Sequence, residues 1–599
     1  MVCGVFHVKH MLQWSAMSLA LVQFNAVVGD PLYNAQRMIE WIEKAAFDGA
    51  GVVLFGELAL TGYCAQDLHF NRQWLDDGWR AVELLRQAAK QYGVTIGFGV
   101  ARANDEDFSK PVWNSFMCLA PDGREWVQNK VLLPTYGEFD EGRWFQAGAL
   151  EEITVHSLDT FSVGFLLCED GWNNSVGVPS QHYKLYPEDP VDHLMKQPAP
   201  PNLLINISAS PDYVGKQALR LEMNARLSAH YTVPLIMLNV VGAQDELVFG
   251  GRSFILNDQG KVLHEMPMGH EAMYILKPEQ LTKNTLYQRN ERPDMEELDE
   301  LIRLYLQDYI KKSNLPRTPF YVGLSGGKDS TLVATVLARH LGKDRVTGVL
   351  MPYRLGKYTS PVSIDLAQKL GRSLGIELKT IPIDAYVDPL IDVLGIADES
   401  LAHQNIQARI RANILWGLAN RSGGVVMNTT NFSEAATGYG TIGGDLLGLP
   451  LIASIPATTV IQYLHWLRSF GGVKSLLLEM IERAPSAELA PHQTDEEALG
   501  AYSIIDPILE SIRMNHGDIR QVVKQFSANI NVGEGADIFF SRLTFLAKKL
   551  LIQSEFKRWY YFKTPQFTPF SWLRWKWPIA NADFALARYI QEARVEAGF

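Results

Sequence analysis

A glycine-rich hexapeptide carries the strongest chemical signal in the chain. It lies between an apolar run that ends at Leu324 and a stretch with helical spacing that begins at Thr331. Adjacent glycines let the backbone curl so that its N–H groups face an anion, and the start of a helix adds positive potential at the same place. We therefore predict a phosphate-binding loop. Its residues are Ser325, Gly326, Gly327, Lys328, Asp329 and Ser330.

The acidic residue of this loop indicates which phosphate chemistry it supports. A Walker A loop has the pattern G-x-x-x-x-G-K-[ST], whereas here Asp329 follows Lys328. A carboxylate beside phosphates requires a cation between them, so Asp329 is a candidate Mg²⁺ ligand. The alternative is a tight strand–helix turn in which Asp329 or Ser330 only caps the helix.

A second candidate centre is built around a cysteine. Cys168 ends an apolar run in the sequence Phe-Leu-Leu-Cys-Glu-Asp-Gly-Trp. A nucleophilic thiol requires a base and a positive or dipolar group nearby. Glu57 and Lys130 also lie at predicted strand ends, so one pocket would gather all three residues. The alternative for Cys168 is an inert, buried thiol. The other cysteines keep that interpretation: Cys3, Cys64 and Cys118.

The elements that must position these side chains differ between the two halves of the chain. Residues 18–275 alternate short apolar strands with helical stretches, which indicates a layered α/β or α+β domain. The polar residues 276–295 form a predicted linker. In residues 296–599, a strand, a glycine turn, a helix and another strand follow one another, which predicts a parallel sheet. The clearest predicted strands are 19–24, 52–55, 94–101, 161–168, 202–207, 320–324 and 346–351, and the clearest helices are 35–50, 296–312, 331–341 and 362–374.

Composition excludes several classes of protein. The chain has 599 residues, of which 47% are hydrophobic and 20% charged, as in globular proteins. A formal charge of -11 argues against a protein that coats nucleic acid or an anionic membrane. Four cysteines without a CxxC pair argue for a reducing compartment. Because no long apolar run or signal-peptide pattern is present, we predict a cytoplasmic protein without a membrane partner.

The phosphate loop resembles that of ATP pyrophosphatases, which cleave ATP between the α- and β-phosphates and adenylate a carboxylate or carbonyl. Further stretches in the second half resemble the NAD synthetase family in order and spacing. They begin at Gln404 (QNIQARIR), Thr429 (TTNFSE), Thr437 (TGY), Gly444 (GD), Pro485 (PSAEL) and Gln493 (QTDE).

The resemblance implies ATP and Mg²⁺ as ligands of the second half. Asp329 and Glu434 would hold Mg²⁺, Met351 would lie near the adenine, and Thr430 would lie beside the ATP. The segment Glu555–Arg558 would close over the bound substrate. Deamido-NAD would be contacted by Asn405, Arg409, Asp445 and Lys557.

Two positions depart from the family pattern. Ile442 and Ala457 stand where the family usually has lysines, which would neutralise phosphate charge during adenylyl transfer. Lys328 and Lys357 are the candidate replacements. The aromatic stretch 565–578 also fits the family poorly.

Glu57, Lys130 and Cys168, with the residues around them, resemble the nitrilase-type amidase superfamily over residues 18–275. The resemblance implies that Cys168 attacks the side-chain amide of glutamine, with Glu57 as general base and Lys130 stabilising the oxyanion. Glu138 would be an accessory acid that positions Lys130. Glutamine would be held by Tyr136 and Glu169.

Together the resemblances imply an α/β protein with a nitrilase-like αββα sandwich and a doubly wound parallel-sheet domain of the adenine nucleotide α-hydrolase-like type. The implied reaction uses glutamine, ATP and deamido-NAD, does not involve nucleic acid, and takes place in a homo-oligomer. Three alternatives remain: another carboxylate acceptor, a degenerate nucleotide-binding module on a working amidase, and a carbon–nitrogen hydrolase without ammonia transfer between sites.

Overall fold

The computed structural model describes residues 18–599 except 106–108, 159, 175, 177–185, 282–286, 288–291, 471–473, 484–487, 492–498, 528–533, 559–563 and 570–584. Several predictions fall partly or wholly outside the described residues. They concern the linker, residues 485–487, residues 493–496 and most of the aromatic stretch. A search of the described helices finds none that is long and apolar enough to cross a membrane.

Two sheets and their covering helices form the first half. The strands are β1 (Ser18–Gln23), β2 (Ala50–Phe55), β3 (Thr95–Ala103), β4 (Val112–Leu119), β5 (Glu125–Asn129), β6 (Phe145–Gln146), β7 (Val155–Leu158), β8 (Phe161–Leu167), β9 (Leu203–Ser208), β10 (Leu235–Asn239), β11 (Val241–Gln244), β12 (Leu247–Gly250), β13 (Phe254–Leu256), β14 (Val262–Glu265) and β15 (Ala272–Leu276). The helices are α1 (Pro31–Phe47), α2 (Arg72–Tyr92), α3 (Pro190–Met195) and α4 (Lys216–Tyr231).

The two sheets lie face to face. One has the strand order β15-β1-β2-β3-β4-β5 with β6 on β4, and the other has the order β14-β13-β10-β9-β8-β7. Leu19 and Leu21 of β1 share a core with Ile205 and Ile207 of β9. The intervening Ala20 points to a second core with α1 and α2, while α3 and α4 cover the other sheet. Strands buried on both faces explain the continuous apolar runs, and the αββα sandwich is confirmed.

A parallel sheet organises the second half. Its strands are β16 (Phe320–Gly323), β17 (Val346–Leu350), β18 (Glu377–Thr380), β19 (Val425–Asn428) and β20 (Leu449–Pro450). The helices are α5 (Asp294–Lys312), α6 (Lys328–Leu341), α7 (Pro361–Leu374), α8 (Asp384–Leu394), α9 (Leu401–Ser422), α10 (Phe432–Thr437), α11 (Ala457–Leu467), α12 (Lys474–Glu482), α13 (Tyr502–Met514), α14 (Ile519–Phe526), α15 (Glu534–Lys548), α16 (Glu555–Arg558) and α17 (Leu586–Glu596).

The strand order of this sheet fixes where a ligand can bind. The order is β18-β17-β16-β19-β20, and each neighbouring pair is parallel. The chain order therefore reverses between β16 and β19, which is the doubly wound arrangement that was predicted. In such sheets, ligands bind at the carboxyl ends of the strands beside this switch point.

By its internal contacts the chain divides into two compact units, passing from the first to the second between Glu291 and Arg292. Two short segments of the first half, 212–214 and 245–248, belong to the second unit. Within that unit, Val214 N donates to Phe567 O at 3.1 Å, and Gln566 N donates to Glu246 O at 2.9 Å. The domain boundaries at 275 and 296 stay a prediction.

Candidate active sites

The turn that carries Cys168 has an unusual backbone. Leu167 ends β8, and Cys168 opens a short helical turn with φ at +50°. A non-glycine residue in this left-handed region is strained and must be held by its surroundings. The carboxylate of Asp170 accepts backbone hydrogen bonds from Leu167 (3.2 Å), Val131 (3.2 Å) and Leu132 (2.8 Å). Asp170 therefore joins the cysteine turn to the segment that follows Lys130.

Lys130 lies between two buried carboxylates. Its Nζ is 2.8 Å from Glu57 Oε1 and 2.9 Å from Glu141 Oε1, and these three side chains are at most 2% exposed. Asn114 Nδ2 donates to Glu57 Oε1 at 2.8 Å, and Ala209 N donates to Glu57 Oε2 at 2.7 Å. The position of the Glu57 carboxylate is therefore fixed by donors from three separate segments.

The carboxylate that accompanies Lys130 belongs to Glu141, which corrects the prediction that Glu138 positions this lysine. Glu141 starts a short helical turn, is 2% exposed, and accepts a hydrogen bond from Tyr63 O–H at 3.1 Å. Glu138 lies in the preceding loop and is only half-buried. The sequence Glu-Phe-Asp-Glu offers both carboxylates within four residues, and only the fold decides which one is directed inward.

Burial and neighbouring charges determine the protonation states of the side chains around Cys168. Burial raises the pKa of the Cys168 thiol well above its ordinary value; Glu57 raises it further, and Lys130 lowers it. Burial alone would lower the pKa of Lys130, but Glu141 and Glu57 outweigh it and hold that pKa well above the usual value. Burial also raises the pKa of Glu141 to about 7. The resting centre therefore contains a neutral thiol and a charged lysine.

Glu169, the residue that follows Cys168, is in contact with a tyrosine hydroxyl group. Tyr136 O–H donates to Glu169 Oε1 at 2.9 Å and contacts Oε2 at 3.0 Å. Burial raises the pKa of Glu169, and the charges of Lys130 and Lys216 act in the opposite direction. Lys216 is the first residue of α4, and its Nζ lies 4.6 Å from the centre of the Trp172 ring. The residue after Cys168 is therefore a carboxylate that a hydroxyl group orients and that lies within the influence of two lysines.

The phosphate loop opens a cavity at the carboxyl ends of β16, β17 and β19. The cavity has a volume of about 300 Å³. Gly326 has φ at +84°, and a Cβ atom there would lie 2.4 Å from the carbonyl oxygen of Ser363. The close approach to α7 therefore requires glycine. The predicted residues that line this cavity are Ser325, Gly326, Gly327, Lys328, Asp329, Ser330, Met351, Thr430, Glu434 and Asp445.

Asp329 and Glu434 are joined through one residue at the wall of this cavity. Asn431 Nδ2 donates to Asp329 Oδ1 at 3.0 Å, and Asn431 N donates to Glu434 Oε2 at 3.2 Å. Mg²⁺ in nucleotide sites is usually bound by one or two carboxylates together with phosphate oxygens. No cluster of three or more potential metal ligands occurs among the described residues. The Asp329 carboxylate within the phosphate loop and the Glu434 carboxylate near it fit a Mg²⁺ ion that is shared with a nucleotide.

The four residues predicted to contact deamido-NAD gather around one segment, residues 438–445. Thr441 Oγ1 donates to Asn405 Oδ1 at 2.8 Å, and Arg409 Nε donates to Ile442 O at 3.2 Å. Thr441 N donates to Asp445 Oδ1 at 2.9 Å. Lys557 Nζ donates to the carbonyl oxygens of Gly438 and Gly440, each at 2.7 Å. Of the four, Asp445 also lines the cavity at the phosphate loop, which Asn405, Arg409 and Lys557 do not.

Comparison with known families agrees with this division of chemistry. The carbon–nitrogen hydrolase family matches residues 18–277, and the NAD synthase family matches residues 298–533. A glutamine-dependent NAD(+) synthetase of Synechocystis sp. is 34% identical over 557 residues, which cover 90% of this chain and 94% of the relative. The chain belongs to the glutamine-dependent NAD(+) synthetase family. The synthetase of Thermotoga maritima is 32% identical, covering 82% of this chain and 88% of its own.

Solved structures of glutamine-dependent NAD(+) synthetases have the same fold. That from Acinetobacter baumannii, in complex with adenosine diphosphate, is 25% identical with a TM-score of 0.70, covering 94% of this chain and 97% of its own. That from Cytophaga hutchinsonii is 18% identical with a TM-score of 0.76, covering 97% and 100%.

Several residues of this glutamine-dependent NAD(+) synthetase chain escaped the sequence prediction. Asn114 donates its side-chain amide to the Glu57 carboxylate, and the Asp170 carboxylate accepts hydrogen bonds from backbone N–H groups. No local sequence pattern reveals either contact. Lys216 follows a glycine at the start of a helix, and Arg483 lies two residues before the segment PSAEL. Both residues were therefore next to sequence patterns that can be recognised. Arg411 lay within the stretch QNIQARIR and, with Arg483, lines the cavity at the phosphate loop.

Proposed function

We propose that this protein converts deamido-NAD to NAD, using ATP and the amide nitrogen of glutamine. The observation that carries the proposal is the presence, in one chain, of a buried Glu57–Lys130–Glu141 array beside Cys168 and a nucleotide cavity with two carboxylates. We assign the glutaminase to residues 18–275 and the synthetase to residues 296–599, joined by residues 276–295.

In the glutaminase, Glu57 takes the proton of the Cys168 thiol as the sulfur attacks the amide carbon of glutamine. Lys130 stabilises the oxyanion of the tetrahedral intermediate, for which its raised pKa keeps it charged. Collapse of the intermediate gives a thioester, and the leaving nitrogen takes the proton from Glu57 to depart as ammonia. A water molecule then hydrolyses the thioester, releasing glutamate and restoring the thiol.

The surroundings of Cys168 suit glutamine as the amide donor. Free glutamine carries an ammonium group and a carboxylate on its α-carbon. Glu169, which is oriented by Tyr136 O–H, supplies the complementary negative charge for the ammonium group. Lys216, whose positive charge lowers the pKa of Glu169, supplies the complementary positive charge for the α-carboxylate of glutamine. A simple amide without these two charges would therefore bind poorly.

In the synthetase, the backbone N–H groups of the phosphate loop bind the triphosphate of ATP, with Thr430 beside it and Met351 near the adenine. The carboxylate of deamido-NAD bonds to the α-phosphorus and pyrophosphate leaves. Ammonia then attacks the acyl carbon and AMP leaves, giving NAD. The dinucleotide is contacted by the four residues that gather around the segment 438–445, which are Asn405, Arg409, Asp445 and Lys557. Asp329 and Glu434 would hold Mg²⁺, whose charge offsets that of the phosphates.

The reaction has small-molecule partners only, and we assign it to the cytoplasm. The described cysteines Cys64, Cys118 and Cys168 are free thiols. A nucleophilic cysteine must stay reduced to function, which a reducing compartment ensures. From the family resemblance we infer that the protein assembles as a homo-oligomer.

The proposed function is tested by NAD formation from deamido-NAD, ATP and Mg²⁺, with either glutamine or ammonium as nitrogen source. We expect NAD and AMP from both sources. Glutamate release without NAD from either source would contradict the synthetase assignment. AMP release with another carboxylic acid, and none with deamido-NAD, would assign a different acceptor.

A further inference from the structure

The nucleotide cavity is lined, among its described residues, by three cations. They are Lys328, Arg411 and Arg483. Arg411 Nε donates to the carbonyl oxygen of Met351 at 3.1 Å, which ties it to the side assigned to the adenine. Lys328 belongs to the phosphate loop itself, and its Nζ donates to the carbonyl oxygen of Arg483 at 2.6 Å. Lys328 and Arg483 are therefore neighbours at the phosphate end of the cavity.

The two positions where a family lysine was expected cannot supply this charge. Ala457 begins α11, is 5% exposed, and packs in an apolar core with Phe432 and Leu499. Ile442 is uncharged, and its carbonyl group is engaged by Arg409. Cleavage of ATP between the α- and β-phosphates nevertheless leaves negative charge on pyrophosphate, which must be stabilised by other groups.

The guanidinium group of Arg483 is held beside the loop through helix α7. Arg483 NH2 lies 3.0 Å from Glu488 Oε1. Glu488 also accepts hydrogen bonds from the hydroxyl of Ser363 and, at 3.4 Å, from the backbone N of Ser360, which caps α7. Ser363 is the residue against which Gly326 of the loop packs. The Arg483 side chain is 30% exposed, so it remains accessible to a ligand in the cavity.

We infer that Lys328 and Arg483 bind the β- and γ-phosphates of ATP and stabilise pyrophosphate as it leaves. The identity of the substrate in this inference rests on the proposed function. As an oxygen of the acceptor carboxylate bonds to the α-phosphorus, the bond to the bridging oxygen breaks, and its electron pair passes to the pyrophosphate. Lys328 acts there as a point charge, while the planar guanidinium of Arg483 matches two phosphate oxygens.

The test is calorimetric binding of inorganic pyrophosphate and, separately, of AMP to the full-length protein with Mg²⁺. We expect Lys328→Gln and Arg483→Gln each to weaken pyrophosphate binding about tenfold or more, because each removes a charge-assisted contact. AMP binding should change less than about twofold, which also shows that the variants are folded. Arg483→Lys should retain part of the pyrophosphate affinity.

Lys357, the other candidate replacement, pairs with two acidic residues and is absent from the described cavity lining. Lys369→Gln is the matched control, because this lysine pairs with Asp365 within α7 and is also absent from that lining. We expect its pyrophosphate affinity to equal that of the wild type. Unchanged pyrophosphate binding in Lys328→Gln and Arg483→Gln would overturn the inference, as would an equal loss of AMP affinity. Loss of pyrophosphate affinity in Lys369→Gln alone, or no pyrophosphate binding by the wild type, would also overturn it.

This measurement needs no acceptor, so it separates the inference from the proposed function. If both variants lose pyrophosphate affinity but the wild type makes no NAD, the assignment of Lys328 and Arg483 as phosphate ligands stands, and deamido-NAD is refuted as the acceptor. If the wild type makes NAD but both variants bind pyrophosphate as well as it does, the proposed function stands, and the role of Lys328 and Arg483 is refuted.

Discussion

Lys130 Nζ lies 2.8 Å from Glu57 Oε1, and both side chains are almost fully withdrawn from solvent. Glu141 provides a second carboxylate at 2.9 Å, and both carboxylates raise the pKa of Lys130 against the effect of burial. Breaking a buried ion pair leaves an uncompensated charge, which is strongly unfavourable. Glu141 therefore acts together with Glu57 to keep Lys130 charged and in place.

Glu141→Gln and Glu138→Gln form a matched pair that tests this relationship. Glu141→Gln should lower the rate of glutamine hydrolysis about 100-fold, because Lys130 loses a charge partner and its orientation toward the oxyanion. Glu138→Gln should leave that rate within about twofold, because Glu138 is half-buried in the adjoining loop. Ammonium-dependent NAD formation measured in parallel should be unchanged in both variants. Equal losses of hydrolysis would contradict the assignment of Glu141.

The raised pKa of Glu141 predicts a pH effect on stability. This pKa is about 7 in the folded protein against 4.5 for an unperturbed glutamate. Between these values the folded protein binds more protons than the unfolded chain, so this contribution to stability falls as the pH rises. Relative to Glu141→Gln, the wild type should therefore lose apparent Tm on going from about pH 5 to about pH 7.

The pH prediction is checked by thermal unfolding of both proteins across that window. Groups that do not interact with Glu141 titrate equally in the two proteins, so the difference in Tm reports Glu141 together with the side chains around it. A difference that stays constant, or that moves in favour of the wild type as the pH rises, would contradict the raised pKa.

Asp329→Asn should abolish NAD formation with glutamine and with ammonium alike. The substitution removes a charge from the proposed Mg²⁺ site while preserving a group that can accept from Asn431. Glutamine hydrolysis should persist. Asp365→Asn is the control, because Asp365 forms a half-exposed pair with Lys369 on helix α7. Turnover by Asp329→Asn at the wild-type Mg²⁺ concentration would refute its role as a ligand.

Gly326→Ala tests the close packing of the phosphate loop. A Cβ at Gly326 would meet the Ser363 carbonyl oxygen at 2.4 Å, whereas a Cβ at Gly342 would meet nothing within 4 Å. Both residues have positive φ, +84° and +90°, so Gly342→Ala reproduces the backbone strain without the clash. Gly326→Ala should weaken ATP binding by at least about tenfold more than Gly342→Ala. Equal ATP affinities, measured by calorimetry, would contradict the loop geometry.

The sequence predicted the strand ends that carry Glu57 and Cys168, because strands buried on both faces appear as continuous apolar runs. The alternation of strands and helices predicted a parallel sheet, and the family resemblance implied its doubly wound order. The choice between Glu138 and Glu141 was beyond local pattern, since both carboxylates occur in one short segment. Lys328 Nζ donates to the backbone carbonyl oxygen of Arg483, which follows the distant helix α12, so only the tertiary fold makes these two residues neighbours.

Transfer of the amide nitrogen tests the central claim most directly. The protein would be given glutamine labelled with ¹⁵N in its amide, deamido-NAD, ATP and Mg²⁺, and the carboxamide of the NAD formed would be analysed by mass spectrometry. The account predicts labelled NAD from the wild type and none from Cys168→Ala, which should still make NAD from ammonium. Labelled NAD from Cys168→Ala, or labelled ammonia without NAD from the wild type, would contradict it.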